Sequence, residues 1–496
     1  MLAAGAARPL PAGSAAVLCM RPAQLVQCRQ GPQQAAPGRA SAAQRHCSCA
    51  APAARGQRPA VPGKAQPARQ HLKGEDSSRI VFRQLPLQLQ LTSLQLGCLG
   101  LQLQPGNGFQ GVLGAAGLAA LKQLRLKDCK LLDDTSGKQL TAAMSLLPAG
   151  LEHLSIDGFN SSAWFPTAVL QQLQQLTYLG LCCVYIVPPE DDGSNPLQPM
   201  QALSRLRDLR LLGLANSFKP RITASMLSGM QHLTRLVFGQ MEVDPGAFAG
   251  KSQLQHLAAT WCSVIAGATC APADRAPGVA QLLSHLQQLT QLTYLGLTNS
   301  LGAGEDHPLT AAAYSSLTAS SKLQYLDIGA CRLPTGIWEH MFPAGRKLQQ
   351  MQYLRMSIIC RWSNGPAAPE GDRLVSCCPS LQSLDMRAVQ CNAELLAALQ
   401  GLSELHTLGL TLADSTAVAD VQRVCQLTGL RELNLQAALG NCWDRDTEGW
   451  LMQVTQLKQL TTLTYEGPIV GTFKRATFSS EVSLRARGLN LALVLG

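Results

Sequence analysis

Residues 121–131 read LKQLRLKDCKL, and the same frame returns along most of the chain. With x for a variable residue, the frame is LxxLxLxxCxL. Residues 254–264 (LQHLAATWCSV) and 323–333 (LQYLDIGACRL) follow it with small substitutions. The LxL centre alternates apolar and variable positions, which is typical of a strand with one buried face. The sequence therefore predicts a short strand in each copy.

Fourteen copies of the frame fit the chain, and leucine holds the fourth position of each one. Successive copies begin 21 to 38 residues apart, about 28 on average, and helical patterns such as AELLAAL at 393–399 fill the space between frames. A single copy cannot bury its own apolar face, so the copies are expected to stack into one array. The copies begin at Leu91, Leu121, Leu151, Leu176, Leu209, Leu233, Leu254, Leu292, Leu323, Met351, Leu381, Leu405, Leu430 and Leu460.

Helices are wider than strands, so a stack of such units bends, with a parallel β-sheet on its concave face and helices on its convex face. The frame resembles the leucine-rich repeat over about four-fifths of the chain. Its length is similar to that of the ribonuclease-inhibitor and cysteine-containing repeat classes, and its Leu-Gly-Leu phrases are similar to those of green-algal-type repeat proteins. The predicted fold is an α/β leucine-rich-repeat solenoid shaped like a horseshoe.

This resemblance implies a non-catalytic scaffold that binds a partner protein on its concave strands, in the cytoplasm or the cytoskeleton of the ciliary axoneme. Two other functions stay open. A GTPase activator of the Ran type tends to carry a strongly acidic tail, whereas Glu481 is the only acid in residues 479–496. The substrate adaptor of an F-box ubiquitin ligase needs a longer domain before the repeats than residues 75–90 provide.

The charge of the chain divides it into segments. Residues 1–74 hold ten basic residues and no acid, whereas the remainder holds 31 of each sign. Residues 1–74 are also rich in Ala and Pro, which predicts a disordered basic leader. It is either a transit peptide for a plastid or mitochondrion or a plain disordered tail. An N-terminal cap is predicted over 75–90, the solenoid over 91–475 and a C-terminal cap over 476–496.

Composition and charge limit the classes of partner that the chain is expected to bind. Leucine supplies 83 residues, charged residues are 15% of the chain, and the mean hydropathy is +0.05. No stretch approaches the roughly 18 apolar residues that span a bilayer, so membrane insertion is not expected. The neutral body gives no electrostatic footprint for nucleic acid. The expected partner is a protein, and the oligomeric state stays open.

The cysteines do not indicate a metal site. All 17 lie singly or in close pairs, and CxxC does not occur. Small buried thiols in repeat cores explain most of them, which suits a reducing, intracellular compartment. The ninth position of the frame is cysteine only at Cys129, Cys262 and Cys331, so no continuous side-chain ladder is expected along the turns. No cofactor, metal or catalytic residue is predicted.

One segment is close to a phosphate-binding motif. Residues 245–252 read PGAFAGKS, in which Pro245 replaces the first glycine of GxxxxGKS. The segment runs directly into the strand of the next frame rather than into a helix. We therefore interpret Lys251 as part of an exposed turn and not as a nucleotide ligand.

The candidate binding surface comes from the third position of the frame, which faces out of the concave sheet. Tyr294, Tyr325 and Tyr353 hold it in three consecutive copies, and His256 precedes them. Asp327 and Arg355 border them from the fifth position. The complete column is Ser93, Gln123, His153, Tyr178, Leu211, Arg235, His256, Tyr294, Tyr325, Tyr353, Ser383, Thr407, Glu432 and Thr462.

Adjacent strands lie about 4.8 Å apart, so these tyrosines are predicted to form one aromatic strip that anchors a partner. The alternative is that tyrosine simply suits an exposed strand. Replacing Tyr325 with alanine is expected to weaken binding with little change in melting. A second possible binding site is a loop predicted over residues 266–278, which are rich in Ala, Gly and Pro.

Overall fold

A computed structural model gives the structure of the chain. The residues that it describes are 27–30, 91–97, 100–101, 119–128, 130–131, 144–145, 147–158, 164–186, 195–214, 220–264, 275–300, 309–329, 331, 333–334, 336–356, 370–391, 393–412, 418–437, 453–454, 456–467 and 490–495.

A 16-stranded sheet runs the length of the described chain, and its strands lie side by side in chain order. Every neighbouring pair is parallel except the first, which is antiparallel. The strands are β1 Gln27–Gln30, β2 Leu91–Gly97, β4 Gln123–Lys127, β6 His153–Asp157, β8 Tyr178–Cys182, β10 Asp208–Leu212, β12 Arg235–Gly239, β14 His256–Thr260, β16 Tyr294–Thr298, β17 Tyr325–Asp327, β18 Tyr353–Arg355, β19 Ser383–Gln390, β20 Thr407–Leu412, β21 Glu432–Ala437, β22 Thr462–Gly467 and β23 Asn490–Leu495. The predicted α/β leucine-rich-repeat solenoid is confirmed.

Seven two-residue strands follow the main strands and form three small sheets. They are β3 Gly100–Leu101, β5 Lys130–Leu131, β7 Trp164–Phe165, β9 Tyr185–Ile186, β11 Arg221–Ile222, β13 Glu242–Val243 and β15 Ser263–Val264. The α-helices of the described segments are α1 Ala224–Ser228, α2 Arg275–Leu286, α3 Ile337–Met341, α4 Gly371–Cys377, α5 Ala393–Ala398 and α6 Val418–Cys425. The same segments contain four 3₁₀ helices, Thr167–Gln172, Gln198–Ala202, Ala311–Thr318 and Leu399–Gly401.

The register of the sheet places equivalent frame positions side by side. Tyr178 pairs with Asp208, Asp208 with Arg235, and the third positions continue in line as far as Asn490. The fifth copy therefore begins at Leu206, and its third residue is Asp208. The frame assigned from Leu209 was wrong by three residues, and Leu211 lies fully buried in the core.

The apolar core explains this register. Leucines at the fourth position of the fourteen frames are between 0% and 2% exposed. At the sixth position Leu211, Phe238 and Ala259 lie on successive strands, so a large ring is placed beside a small side chain. Helical segments of neighbouring repeats also pack closely on the face of the repeats opposite the sheet. A Cβ atom at Gly229, just after α1, would lie 1.9 Å from the carbonyl oxygen of Gln201.

The turns after seven main strands, β4 to β16, have a left-handed residue at the eighth position of the frame. Glycine suits this conformation, and Gly158 and Gly213 adopt it with φ of 70° and 57°. Gly213 is the eighth residue only if the fifth copy begins at Leu206. The other residues with positive φ in these turns are Asp128, Cys183, Gln240, Trp261 and Asn299.

A short side-chain ladder follows these turns in three consecutive copies. At the ninth position, Ser300 donates to the carbonyl of Ala259 at 2.9 Å, and the Cys331 thiol donates to that of Leu297 at 2.8 Å. Cys262 begins the series, and its backbone N–H donates to the Ser300 hydroxyl at 3.4 Å. The ladder links neighbouring repeats where a small polar side chain is present.

The first and last strands of the sheet lie in segments predicted as the leader and the C-terminal cap. Within residues 1–74, four residues form β1, which pairs with the edge of β2 and covers its unpaired backbone groups. The rest of that leader lies outside the described residues, as do residues 75–90. At the other end, β23 continues the parallel register of β22 and adds a further repeat-like strand within the predicted cap over 476–496.

Two local predictions were wrong. Residues 275–278, predicted as part of a loop over 266–278, form the first turn of α2, and residues 266–274 lie outside the described residues. Lys251 is 7% exposed rather than in an exposed turn, and its Nζ donates to the carbonyl of Met230 at 3.2 Å. Burial lowers the pKa of Lys251. Its role is therefore to satisfy a backbone carbonyl of the preceding repeat.

Candidate binding surface on the concave face

Four aromatic rings form one continuous stack on the concave sheet. The ring centroids of His256 and Tyr294 are 3.9 Å apart, and those of Tyr294 and Tyr325, and of Tyr325 and Tyr353, are each 4.1 Å apart. The ring planes are within 18° of parallel at every step, and within 2° at the last. We call these four residues the aromatic stack. It occupies one frame position on β14, β16, β17 and β18, as the sequence predicts.

The faces of the two inner rings are covered by their neighbours. The Tyr325 hydroxyl lies beside those of Tyr294 and Tyr353 in one row. Burial, together with these neighbouring phenols, raises the pKa of Tyr325 far above its usual value, and burial raises that of Tyr353. Tyr325 and Tyr353 therefore stay protonated at physiological pH.

Glycine at the fifth position allows a ring to lean along its own strand. A Cβ atom at Gly296 would lie 3.2 Å from Cε1 of Tyr294. At Gly180 it would lie 2.9 Å from the hydroxyl oxygen of Tyr178. The repeated phrase Tyr-Leu-Gly-Leu in β8 and β16 thus combines a half-buried tyrosine with the space that its ring needs.

A second, shorter stack lies toward the N-terminal end of the sheet. The rings of His153 and Tyr178 are 4.0 Å apart and within 5° of parallel. The Arg210 guanidinium lies 5.3 Å from the centroid of the Tyr178 ring, and it donates to the Asp208 carboxylate at 3.2 and 3.0 Å. This arrangement was not predicted from the sequence, because the frame assigned from Leu209 has Leu211 at the position that Asp208 holds.

Charged side chains form a chain of ion pairs along the fifth position. Arg355 lies 3.6 Å from the carboxylate of Asp327 and 3.4 Å from that of Asp385. Arg387 donates to both oxygens of Asp385 at 2.9 Å. Asp327 is buried, accepts the backbone N–H of Gly329 at 2.9 Å, and has its pKa raised by burial. Asp327 and Arg355 thus border the aromatic stack where the sequence places them.

An open cavity of about 460 Å³ lies beside the last ring of the aromatic stack. Small side chains at two positions, Ser383 and Gly409, leave room for it. Its lining comes from four strands, β18 to β21, and consists of Tyr353, Arg355, Ser383, Asp385, Arg387, Thr407, Gly409, Glu432 and Asn434.

The two stacked histidines are neutral at physiological pH. Burial and then Arg125 lower the pKa of His153 to about 4. Burial and then Arg235 lower that of His256 to about 4, against a usual value of 6.5. In both cases Arg210 lowers the pKa further and Asp208 opposes the shift. Each ring therefore stacks as a neutral imidazole.

This depression predicts a loss of stability in acid. The unfolded histidines take up protons near pH 6.5, whereas the folded ones resist until about pH 4, so their contribution is present above 6.5 and is lost as the pH falls toward 4. Solvent screening at these half-exposed rings limits it to about 1 kcal/mol each. Denaturant unfolding measures the free energy of unfolding at pH 7 and at pH 4. The decrease between these two values should be about 2 kcal/mol smaller in a His153→Gln/His256→Gln variant than in the wild-type chain. An equal decrease in both chains would contradict these pKa values.

Several of the described thiols are less acidic than usual. Burial raises the pKa of Cys182 and Cys425 to about 11 and that of Cys391 to about 12. Cys183 is exposed in a left-handed turn, so the prediction of a buried position was wrong there.

Within the described residues, no group of three or more His, Cys, Asp or Glu could hold a metal ion. In the same part of the chain, no helix is long and apolar enough to cross a membrane.

Comparisons with known proteins gave distant structural likenesses. No protein-family model and no curated protein sequence matches the chain. The leucine-rich-repeat ectodomain of the plant membrane receptor kinase GASSHO1/SCHENGEN3 from Arabidopsis thaliana, in complex with CASPARIAN STRIP INTEGRITY FACTOR 2, is 15% identical with a TM-score of 0.42 and matches 77% of this chain. TLR13 in its complex with ssRNA13 is 16% identical over 76% of the chain, with a TM-score of 0.39.

The functional domain of InlJ from Listeria monocytogenes, which includes a cysteine ladder, has the same identity, TM-score and coverage of this chain as TLR13. The matched region spans 42% of the plant ectodomain, 58% of the TLR13 chain and 73% of the InlJ chain. The fold follows from the repeat register of this chain's own sheet, and likenesses of this extent add nothing about its function.

Proposed function

We propose that this chain is a non-catalytic scaffold that binds a partner protein on its concave sheet, with the aromatic stack as the anchor. The observation that carries the proposal is the stack itself. Four rings are held in line on consecutive strands, half-buried and nearly parallel. Tyrosine combines large apolar area with a group that tolerates water, and it is enriched among interface anchors.

The stack is also rigid before any partner arrives. Each inner ring packs between two others, and the Asp327–Arg355–Asp385 ion pairs fix the neighbouring position. Ordering flexible side chains opposes association, so a surface that is already ordered binds with less loss of entropy. Strand propensity accounts for tyrosine at one exposed position, but it does not by itself align four rings on consecutive strands.

Affinity purification from cells with the full chain as bait tests this proposal. Tyr325→Ala should weaken retention of the partner by roughly fivefold to 150-fold, equivalent to about 1–3 kcal/mol. Tyr185→Ala is the matched control, because Tyr185 is exposed on β9, outside the concave sheet. Partner recovery by Tyr325→Ala equal to that of the wild-type chain would place the site elsewhere.

The stacking changes the expected effect of this variant on stability. Tyr325 loses a ring contact on each face when it becomes alanine, and such contacts contribute about 0.5–1.5 kcal/mol each. The expectation of unchanged melting therefore no longer holds. Tyr325→Phe keeps both stacking contacts and removes only the hydroxyl, so it separates the contribution of the hydroxyl row from that of the packed rings.

A further inference from the structure

The aromatic stack ends with one ring face uncovered by another ring. Tyr325 covers one face of the Tyr353 ring, and the planes are only 2° from parallel, so the opposite face is turned toward β19. The next residue in that column is Ser383, whose side chain is too small to continue the stack. The cavity of about 460 Å³ lies at this point, lined by Tyr353, Ser383 and Thr407. Its volume is within the range of ligand pockets, about 300–1,000 Å³.

The shorter stack of the same chain shows what can cover such a face. There the Arg210 guanidinium lies over the ring of Tyr178, and Asp208 on the next strand holds the guanidinium with two hydrogen bonds. A planar cation therefore completes an aromatic stack on this sheet when a carboxylate is placed beside it. At the end of the longer stack, Ser383 takes the place that corresponds to Asp208.

One carboxylate of the cavity lining has no cationic partner among the described residues. Arg355 and Arg387 are both engaged by Asp327 and Asp385. Glu432 is exposed on β21, and its carboxylate accepts a hydrogen bond from the Thr407 hydroxyl at 3.3 Å. The lining thus holds two carboxylates and two guanidinium groups, but Asp385 pairs with both arginines, whereas Glu432 makes no ion pair with any described residue.

We propose that this cavity accepts an arginine side chain of the partner protein, stacked on Tyr353 with its guanidinium directed to the Glu432 carboxylate. The inference rests on the proposed function and names the chemistry of its partner. Guanidinium groups stack on aromatic faces and donate in a planar fork that matches a carboxylate. The side-chain oxygen of Asn434, in the same lining, is a further acceptor.

Other occupants fit the cavity less well. An aromatic side chain would cover Tyr353 but would bring no cation to the Glu432 carboxylate. An anion would have to compete with the Asp385 carboxylate that already pairs with Arg355 and Arg387. A lysine supplies the charge without the planar group that continues the stack.

The test measures binding of N-acetyl-L-arginine amide to the purified full chain by ligand-observed NMR. The lysine and citrulline analogues are the comparison probes, since lysine is charged but not planar and citrulline is planar but neutral. We expect the arginine probe to bind at least about fivefold more tightly than either analogue. Glu432→Gln should weaken that binding by about tenfold, and Ser383→Tyr should abolish it by placing a further ring over Tyr353.

Glu404→Gln is the matched control, because Glu404 is exposed at the start of the neighbouring frame and lies outside the cavity lining. It should bind the arginine probe as the wild-type chain does. Glu432 is exposed, so its variant should fold even if the Ser383 variant does not. No binding of the arginine probe, equal binding of the lysine or citrulline probe, or unchanged binding by Glu432→Gln would each overturn the inference.

The purification with Tyr325→Ala distinguishes this failure from a failure of the proposed function. If that variant loses the partner while the arginine probe does not bind to the wild-type chain, the scaffold proposal is supported and the arginine site is wrong. If the arginine probe binds as expected while the variant retains the partner, the arginine site is supported and the anchoring role of the stack is wrong.

Discussion

A Phe238→Ala variant is expected to lose about 3–5 kcal/mol of unfolding free energy. Phe238 is fully buried on β12, and its ring centroid lies 6.3 Å from that of Phe248. On the next strand, Ala259 occupies the same frame position, so the phenylalanine fills space that the small side chain leaves. Two adjacent alanines would leave a cavity that the stiff repeat backbone can only partly close.

Denaturant unfolding followed by circular dichroism measures this loss. Phe238→Leu is the matched control, because it retains most of the apolar volume and should cost less than about 1.5 kcal/mol. An alanine variant that loses no more free energy than the leucine variant would show that the core is not packed in the described register.

The triple variant Tyr294→Ala/Tyr325→Ala/Tyr353→Ala is expected to weaken partner binding by roughly a hundredfold or more. It removes the tyrosine anchor and three of the described stacking contacts together. Contributions of neighbouring anchors are not additive, so the loss should be smaller than the sum of the three single losses. Equilibrium binding to the purified partner gives the ratio directly.

Folding must be separated from binding in that experiment. The corresponding triple phenylalanine variant keeps the stacked rings, and its circular dichroism and melting should stay near those of the wild-type chain. If it binds as well as the wild-type chain while the alanine variant does not, the rings are the anchor. If the alanine variant is folded and binds normally, the partner contacts another surface.

The fold could be predicted because its signal is repeated. The leucine at the fourth position of each frame determines which face of the strand is buried, and the observed register places those leucines side by side. The fifth copy was misassigned because Leu206, Leu209 and Leu212 are three residues apart, so leucine fits the first and fourth positions in either frame. The left-handed Gly213 settles the frame in the structure.

Part of the concave surface could be predicted as well. The positions of His256, Tyr294, Tyr325 and Tyr353 follow from the frame and the strand spacing, and the structure brings their rings together. The cavity beside them could not be predicted, because it depends on which way charged side chains turn. Asp385 leans over Gly409, where a Cβ atom would lie 2.8 Å from its Oδ1, and no pattern of leucines determines that direction.

The most direct test of the central claim is site-specific photocrosslinking in cells, with a benzoylphenylalanine placed at Tyr325 or at Ser284. Tyr325 lies in the middle of the aromatic stack, whereas Ser284 is exposed on α2, on the opposite face of the repeats. The scaffold proposal predicts a discrete covalent adduct with one partner protein from position 325 and none from position 284. The same adduct from position 284, with none from position 325, would contradict binding on the concave sheet.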